Sequence, residues 1–468
     1  MRKFLSRLVF LVIVFSALSG VDWAQNADLA SSAPQPDDRF KADILVVIAH
    51  PDDDSAAAAY LARAVFDQGK RVAVVYTTDG KGGNNQIATE RGAALGAVRQ
   101  IEARTALAAL GINQVWFLQG RDTATQNVLL SLANWGHGQV LEDVVRIIRL
   151  TRPEVVMTWF PHAVAGENHG DHQASAVVAT EGFDLAGNPT VFPGQLAPPR
   201  LRFPTENLQP WQPKKLYFFS DAFDENFMIG KGPEYSVSDV SPARKVPYAF
   251  CRLAAMSAYG SQFGNRLPKA LTDALSSGDA TTALKLLVQL RPTALDPERF
   301  ILGKSLVQAS LTGDIFEGIP KGPIAYVPPP PFEPAHHTNL SIELAGTWSF
   351  YKEFWKAHGL AHLEAMLPNE TAVLPGTEFP ISLLLRNDSN DVVTMTVLSS
   401  LPDGWTEKTR PKTYPLPAHS TYLVQTTVTA PSREVRDWNS IKFEAINGTT
   451  SIGSVSIRVQ VRPGAMPH

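Results

Sequence analysis

Between residues 43 and 159 the chain alternates short, continuous apolar runs with longer stretches of helical periodicity. Unbroken apolar runs are typical of strands that are buried on both faces of a parallel sheet. We predict strands over Asp43–Ala49, Arg71–Thr78, Gln114–Leu118 and Glu154–Trp159, and helices over Ser55–Gly69, Ala88–Gly111 and Gly138–Pro153. This alternation predicts right-handed crossovers, and hence a doubly wound, Rossmann-like, mostly parallel α/β sheet within residues 40–265.

The pattern changes after residue 265. Residues 266–364 contain helical periodicity over 267–290 and 299–313, followed by a proline-rich connector. The aromatic-rich stretch Thr347–Met366 could stack on sugar rings, but its spacing favours packing in a core or at a domain interface. Residues 365–468 consist of short alternating or β-branched runs separated by turn signals, a pattern that predicts a β-sandwich.

The N-terminus has the layout of a secretory signal peptide. Basic residues precede the apolar run Leu8–Leu18, and small residues follow it. We predict a signal peptide over residues 1–20 and a flexible leader over residues 21–39. The alternative is a membrane anchor helix, but the run is short for about 30 Å of hydrocarbon. We therefore expect a secreted or periplasmic protein, with no transmembrane anchor after signal cleavage.

Composition narrows the class of protein. A chain of 468 residues is too long for one typical domain, and 44% hydrophobic with 19% charged residues describes an ordinary globular protein. The net charge of −3 gives no reason to expect nucleic acid as a partner. The single cysteine, Cys251, excludes an internal disulfide and a zinc site built on several thiolates. The sequence makes no prediction of the oligomeric state.

Two polar clusters follow predicted strands at the same edge of the sheet, where the ligands of such sheets bind. The first cluster is IAHPDDDSAA, at residues 48–57. The second follows the last predicted strand and contains His162, Glu167, His169, Asp171 and His172. His50 and Asp53, with one histidine of the second cluster, would form a facial His₂Asp metal site with one position open for water. A nearby carboxylate that is not a ligand could then take a proton from that water.

Other interpretations compete with metal chemistry. The glycine-rich segment DGKGG, at residues 79–83, follows a strand as a dinucleotide-binding loop would. It lacks the G-x-G-x-x-G spacing and does not open a helix directly, which disfavours nucleotide binding. A lone histidine is more often packed or exposed than a ligand, so His162 either lines the site or packs in a core.

The two clusters together resemble the motifs of the LmbE-like, or PIG-L, de-N-acetylases. AHPDDD at 49–54 is similar to the family's A-H-P-D-D-E, and HGDH at 169–172 is similar to its H-x-D-H. The resemblance extends to TTDGKGG, RQIEARTALAALGI and VWFLQGRD, and covers about residues 40–180. A weaker family element has Ser-Gln after a histidine, and here Tyr259 stands where that histidine would be.

The resemblance implies a zinc-dependent hydrolase that removes acetyl groups from N-acetylglucosamine-type sugars. By position in the motifs, His50, Asp53 and His172 would bind one divalent metal ion, Zn²⁺. Asp52 would be the general base that deprotonates the water.

The resemblance also implies roles around the metal. His169 would stabilise the tetrahedral oxyanion or protonate the leaving amine, and Asp171 would orient His169. Asp79 and Arg99 would bind substrate. A turn residue and a surface charge are the alternative interpretations of these last two.

The first motif departs from the family at one position, where Asp54 replaces the usual Glu. This position is not an implied ligand, and the shorter carboxylate reaches about one methylene less. The alternative interpretation is an acid in the first turn of the following helix, where the macrodipole favours negative charge. The departure does not imply an inactive protein.

The C-terminal region resembles the immunoglobulin-like modules that are appended to carbohydrate-active enzymes, through PGTEFPISLLLRNDS and LPDGW. Such a module would attach the enzyme to carbohydrate or act as a structural spacer. We therefore predict an exported, zinc-dependent de-N-acetylase of an N-acetylated sugar or glycoconjugate. The alternatives are a metal-dependent amidohydrolase of a non-sugar amide, and a catalytically silent glycan-binding protein on the same fold.

Overall fold

The computed structural model describes residues 36–164, 169–196, 206–222, 225–331, 339–366 and 368–463. The predicted signal peptide and most of the predicted leader lie outside the described residues, as does Glu167 of the second polar cluster. Within those ranges, no helix is long and apolar enough to cross a membrane.

The α/β domain is built on a parallel sheet with one antiparallel edge strand. Its strands are β1 Ile44–Ile48, β2 Val72–Thr78, β3 Gln114–Gly120, β4 Val155–Trp159, β5 Lys215–Phe219, β6 Glu234–Tyr235, β7 Glu298–Arg299 and β8 Ile301–Ser305. The main sheet has the order β3-β2-β1-β4-β5-β8, with β8 antiparallel to β5, while β6 and β7 form a separate ribbon. The order reverses at β1, whose Ile44 pairs with Val72 on one side and Val155 on the other. Ligands bind at such switch points.

Helices cover both faces of this sheet. They are α1 Ala58–Phe66, α2 Ala93–Ala109, α3 Val128–Trp135, α4 His137–Thr151, α5 Gly170–Leu185, α6 Tyr248–Met256, α7 Gly260–Phe263, α8 Lys269–Ser277 and α9 Ala280–Leu290. Leu45 and Val47 face one core with α3, α4 and α5. Ile44 and Val46 face the other core with α1, α2 and α6. β1 is therefore buried on both faces, as its unbroken apolar run predicts.

The predicted Rossmann-like fold class is confirmed, with shifts at the ends of its elements. A short 3₁₀ turn over Asp53–Ala56 precedes α1, so the polar motif and the helix are separate elements. Helix α2 begins at Ala93 rather than Ala88, because Gly92 adopts a φ of +57° that a helix cannot include. β5 and α3 are additional elements that the sequence pattern did not indicate.

The predicted helix within residues 299–313 is wrong where it meets the sheet. Ile301–Ser305 forms β8, in which Ser305 lies opposite Lys215 and Ile301 lies opposite Phe218. Pairing with β5 outweighs a helical pattern, since strand formation depends strongly on tertiary context. The main sheet therefore continues past residue 265, the predicted boundary of the α/β domain.

The C-terminal strands form the predicted β-sandwich. They are β9 Leu340–Leu344, β10 Glu370–Val373, β11 Glu378–Asn387, β12 Val393–Ser400, β13 Thr406–Glu407, β14 Thr413–Leu416, β15 Ser420–Thr429, β16 Val435–Asn447 and β17 Thr450–Val461. One sheet has the order β10-β17-β16-β12-β14, and the other has the order β13-β15-β11-β9. Because β9 belongs to it, the sandwich begins before residue 365. We call residues 339–366 and 368–463 the C-terminal module.

Helix α10, Thr347–Ala357, joins the C-terminal module to the α/β domain. Its Tyr351, Phe354 and Trp355 are buried in the same core as Leu45 of the central strand. The prediction that the aromatic stretch packs in a core or at an interface is thus confirmed. Part of the C-terminal module therefore packs into a core of the α/β domain, while the sandwich strands enclose a core of their own.

Candidate metal centre and active site

Asp53, in the turn after β1, organises the first polar cluster. Its Oδ2 accepts hydrogen bonds from the backbone amides of Ala49 and His50, both at 2.9 Å, and from Nε1 of Trp159 at 2.8 Å. Three donors hold this oxygen, so Oδ1 is the one that faces the histidines. Oδ1 lies 3.2 Å from Nε2 of His172 and 3.7 Å from Nδ1 of His50.

These three side chains form a compact donor group. Nδ1 of His50 and Nε2 of His172 are 3.0 Å apart, and the ligand atoms of His50, Asp53 and His172 all lie within 4.8 Å of one another. Two imidazole nitrogens and one carboxylate oxygen are a set that catalytic zinc sites use. The indole of Trp159 stacks on His172 with ring centroids 4.6 Å apart and planes 2° apart, which fixes that imidazole. The structure thus brings together the three residues that the sequence selects as ligands.

A second group within ligand distance consists of His50, His169 and Asp171. It uses the other nitrogen of His50, because Nε2 of His50 lies 3.4 Å from Oδ2 of Asp171. A metal-ligating histidine almost always donates its second N–H to a carboxylate, carbonyl or water. Asp171 is placed to do this for His50, and the backbone amide of Thr123 donates to the same Oδ2 at 2.8 Å. The first group could therefore hold a metal ion, with Asp171 in a position to support His50.

Asp171 does contact His169, as its predicted orienting role requires, but through its backbone rather than its carboxylate. It is the backbone amide of Asp171 that donates to Nδ1 of His169, at 3.1 Å, and His169 is the N-cap of α5. Nδ1 accepts, so the proton of the neutral ring is on Nε2. Burial lowers the pKa of His169 well below its ordinary value, and the charges of His50 and His172 act in the same direction. His169 is therefore a neutral donor in the wall of the cleft.

The buried carboxylate of Asp53 stays ionised and stabilises positive charge on the neighbouring histidines. Burial opposes ionisation of Asp53, but the charges and hydrogen bonds of His172 and His50 hold its pKa well below the ordinary value. Burial likewise disfavours protonated His50, yet hydrogen bonds to Asp171 and Asp53 raise its pKa to about 10. A divalent cation would supply the positive charge that these groups stabilise.

Asp52 lies outside the ligand group because its backbone takes an unusual conformation. Its φ is 134°, a region that L side chains rarely adopt and that concentrates at functional sites. Nη2 of Arg99 donates to Oδ1 of Asp52 at 3.0 Å and to the carbonyl oxygen of Pro51 at 2.8 Å. Burial raises the pKa of Asp52, Arg99 opposes this, and the Asp53 carboxylate adds to it.

The two predicted substrate-binding residues, Arg99 and Asp79, differ in their position, because Arg99 is among the described residues that line the cleft. Arg99 is 4% exposed, and its Nη1 also donates to the carbonyl of Gly80, so its hydrogen bonds hold the Asp52 turn. A Cβ at Gly80, where φ is +70°, would lie 2.6 Å from the guanidinium, so only glycine fits there. Asp79 is not among the described residues that line the cleft, and its Oδ1 accepts from the amide of Lys81 at 3.2 Å. Asp79 thus makes the contact of a turn residue, the alternative interpretation, and its role in substrate binding stays a prediction.

Asp54 is buried beneath the site and bound by two tyrosines. Tyr76 donates its hydroxyl to Oδ1 at 2.7 Å, and Tyr259 donates to the same oxygen. Burial raises the pKa of Asp54 to about 7. Asp54 lies in the first turn of the 3₁₀ helix, close to the alternative interpretation of a first-turn acid. Its hydrogen bonds to the two tyrosines were not predicted from the sequence. The two positions at which the chain departs from the family motifs, Asp54 and Tyr259, are therefore in direct contact.

Sequence reasoning missed Trp159 and Asp122. Asp122 follows β3 at the same sheet edge; its Oδ1 lies 4.0 Å from Nε2 of His50. The sequence does place Asp122 shortly after a predicted strand, and this position could have indicated a residue of the site. Nothing in the apolar pattern indicates that the indole of Trp159 reaches Asp53.

The structure places His162 in a core rather than in the cleft. His162 packs against Tyr351 and its aromatic neighbours in α10, and burial lowers its pKa to about 4.

A cleft of about 1010 Å³ opens beside the donor group. Asp52, His169 and His172 line one side, and segments within residues 220–226 and 252–299 line the other. This volume is at the upper end of the range of about 300–1,000 Å³ for small-molecule sites.

Comparison with known proteins shows what the segment that contains the first four strands is similar to. Residues 45–182 match the family model described as PIG-L: GlcNAc-PI de-N-acetylase, which confirms the resemblance. Two curated relatives are each named 1D-myo-inositol 2-acetamido-2-deoxy-alpha-D-glucopyranoside deacetylase. The protein of Thermobifida fusca (strain YX) is 26% identical over 189 residues, which are 37% of this chain and 60% of the relative. That of Streptomyces scabiei (strain 87.22) is 31% identical over 184 residues, which are 36% of this chain and 56% of the relative.

The chain thus spans somewhat more than half the length of these curated relatives. Among solved structures, the N,N'-diacetylchitobiose deacetylase from Pyrococcus horikoshii is 19% identical. The similarity covers 55% of this chain and 83% of that chain, with a TM-score of 0.37.

Proposed function

Starting from the PIG-L match of residues 45–182, we propose that this chain is an exported, zinc-dependent de-N-acetylase. Its substrate is an N-acetylglucosamine-type sugar or glycoconjugate. One observation carries the proposal. The donor atoms of His50, Asp53 and His172 converge within 4.8 Å in the wall of an open cleft that Asp52 and His169 also line.

His50, Asp53 and His172 would hold the zinc ion, and their nitrogen and oxygen donors suit it. When bound, the ion would polarise the acetyl carbonyl and lower the pKa of a water from about 15.7 toward 7. Asp171 keeps the ring of His50 oriented, and Trp159 keeps that of His172 in place. The chain therefore prepares the donor geometry before any ligand arrives.

Asp52 takes the proton of the attacking water. Its carboxylate lines the cleft, is not one of the three ligands, and is held by Arg99 at 3.0 Å. A general base works best when its pKa is raised toward the working pH, and burial acts on Asp52 in that direction. The strained backbone at this residue separates it from the neighbouring ligand Asp53.

His169 acts on the other side of the reacting amide. Because the backbone amide of Asp171 donates to its Nδ1, its Nε2–H is available to the cleft. A neutral donor aimed at the developing oxyanion stabilises it without a change of protonation. The proton that Asp52 takes from the water passes to the leaving amine as the C–N bond breaks, which releases acetate and the free amino sugar while His169 keeps its own proton.

The substrate class comes from the relatives, whose printed names specify a 2-acetamido-2-deoxy-glucopyranoside. Export comes from the apolar run Leu8–Leu18 and its basic flank, and implies a secreted or periplasmic enzyme. Such an enzyme meets envelope or extracellular glycans rather than cytoplasmic metabolites. Neither the charge nor the motifs give a reason to add nucleic acid to its partners.

Acetate release tests the proposal. Zinc-loaded protein is incubated with N-acetylglucosamine, its oligomers and cell-wall fragments, and acetate is quantified. Loss of a general base costs about 10²–10⁴-fold, so Asp52→Asn should lower kcat by that factor while the zinc content stays at the wild-type level. Asp273→Asn removes an exposed carboxylate on α8, outside the cleft, and should leave the rate unchanged.

The alternatives give different results in the same experiment. Sugar binding without acetate from any N-acetylated amino sugar would identify a catalytically silent glycan-binding protein. Hydrolysis of non-sugar amides alone would identify an amidohydrolase of the same mechanism. Either result overturns the proposed substrate class.

A further inference from the structure

The start of α5, which carries His169, Asp171 and His172, is held by the loop after β3. The backbone amide of Thr123 donates to Oδ2 of Asp171 at 2.8 Å, and the amide of Gly170 donates to the carbonyl of Thr125 at 2.7 Å. Asp171 in turn faces Nε2 of His50. The position of this loop, residues 121–127, therefore determines how the two motifs meet.

The same loop is hydrogen-bonded to the C-terminal module through Gln126. Its Nε2 donates to the carbonyl of Ala372 at 2.8 Å, and its Oε1 accepts from the hydroxyl of Thr371, also at 2.8 Å. Both polar atoms of this amide thus bind β10, and Gln126 is only 4% exposed. A buried amide with both groups paired is costly to leave unsatisfied.

A second connection reaches α5 itself. Gln173, one turn beyond the N-cap of α5, is buried, and its Oε1 accepts from the hydroxyl of Tyr351 in α10. Its Nε2 donates to the carbonyl of Gln126 at 3.4 Å, so the two glutamines are linked. One connection thus runs from the C-terminal module to the loop 121–127, and the other runs to α5, which contributes His172.

The module holds its own side of these contacts rigidly. β10 pairs in parallel with β17, with Thr371 opposite Val459. β10 is the edge strand of its sheet, so its outer side is free to meet Gln126. A spacer or a separate attachment module would have no need of buried polar contacts with the catalytic domain, since interfaces between independent domains are loose and polar at the surface.

We infer that the C-terminal module is a positioning element of the metal site, and that Gln126, Gln173, Tyr351 and Thr371 are positioning residues. The module fixes the loop 121–127, the loop fixes Asp171 and the start of α5, and these orient His50 and His172. The inference assigns the module a role in forming the site. It rests on the proposed function only for the catalytic readout.

Thr371→Val and Thr371→Ser form the matched pair that tests it. Valine keeps the shape but removes the donor to Gln126, and serine keeps the donor. Outer-shell changes cost about 10–100-fold in metal affinity, so we expect zinc affinity to fall by about tenfold in Thr371→Val, measured by competition with a chelating dye. Thr371→Ser should retain it. Thr421→Val, an exposed change on β15 of the same module, is the control.

Two further readouts separate positioning from loss of folding and from failure of the proposed function. Hydrogen exchange of the amides in residues 121–127 should quicken in Thr371→Val and Tyr351→Phe, with the sandwich strands still protected. In the zinc-loaded enzyme kcat should fall by about the same factor as the affinity, with KM unchanged. If the wild-type protein releases no acetate, the proposed function fails, but hydrogen exchange and zinc affinity still test whether the C-terminal module positions the metal site. If Thr371→Val and Tyr351→Phe both show the hydrogen-exchange rates and the zinc affinity of the wild-type protein, the inference is wrong.

Discussion

The ion pair between Arg99 and Asp52 gives a quantitative prediction for the pH dependence of the reaction. Replacing Arg99 with Gln removes the charge that opposes protonation of Asp52. Two unit charges about 4 Å apart interact by about 1 kcal/mol in water and about 4 kcal/mol at an effective dielectric of 20. A fifth of the Asp52 side chain is exposed, so we take the lower part of this range, about 1–2 kcal/mol.

This energy corresponds to a rise of about one unit in the pKa of Asp52, because one unit is 1.36 kcal/mol. Asp52 accepts a proton and is active when ionised. A higher pKa therefore moves the acid limb of the kcat/KM profile to higher pH by about one unit. Activity should be lost about tenfold on the acid side and recover as the pH rises. The assay is acetate release across pH at a fixed zinc concentration.

Arg99→Lys and Arg91→Gln are the controls. Lysine keeps the positive charge but lacks the planar guanidinium that also donates to the Pro51 carbonyl. The acid limb should therefore move less than in Arg99→Gln, while kcat falls because the Asp52 turn is held less well. Arg91 is an exposed residue just before α2, and its replacement removes the same charge without contact to Asp52. An unshifted acid limb in folded Arg99→Gln would refute the assignment of Asp52 as the base.

The remaining predictions concern the supports of the site. Trp159→Phe keeps an aromatic ring but removes the donor to Oδ2 of Asp53, so zinc affinity should fall by about 10-fold in chelator competition; unchanged affinity would contradict this support role. Tyr259→Phe removes a donor to buried Asp54 and should lower the free energy of unfolding in urea by about 1–3 kcal/mol with zinc content retained; a loss of zinc without a loss of stability would contradict it. Gly80→Ala places a Cβ against the guanidinium and forces φ of +70° on alanine, so unfolding should be easier by more than about 1 kcal/mol, and an unchanged urea midpoint would contradict that strain.

The sequence predicts the α/β fold because three of its first four strands, β1, β2 and β4, lie in the interior of the sheet. An interior parallel strand such as β1 is buried on both faces, and its apolar run reports this directly. β8 is an edge strand with a mixed burial pattern, paired to a partner more than eighty residues earlier in the chain. Such pairing leaves no local signal, and the stretch was predicted as a helix instead.

The candidate ligands were predictable for a similar reason. His50 and His172 occur in short motifs, and the carboxyl ends of parallel strands bring such motifs to one edge. The roles of Arg99 and Asp171 were not, because each depends on which atom the side chain reaches. Asp171 contacts His50 through its carboxylate and His169 through its backbone, a distinction that residue order does not carry.

The unequal use of the two oxygens of Asp53 has a consequence for metal selectivity. Since Oδ2 is occupied by three N–H donors, this carboxylate can offer only Oδ1 to a cation. Calcium favours six to eight oxygen ligands, often including a bidentate carboxylate, and magnesium binds through carboxylates and several waters. A site with two imidazoles and a single-oxygen carboxylate disfavours both ions and suits a borderline-soft ion of low coordination number. The indole of Trp159 occupies one oxygen of Asp53 and thereby contributes to the choice of metal ion, although it is not a ligand itself.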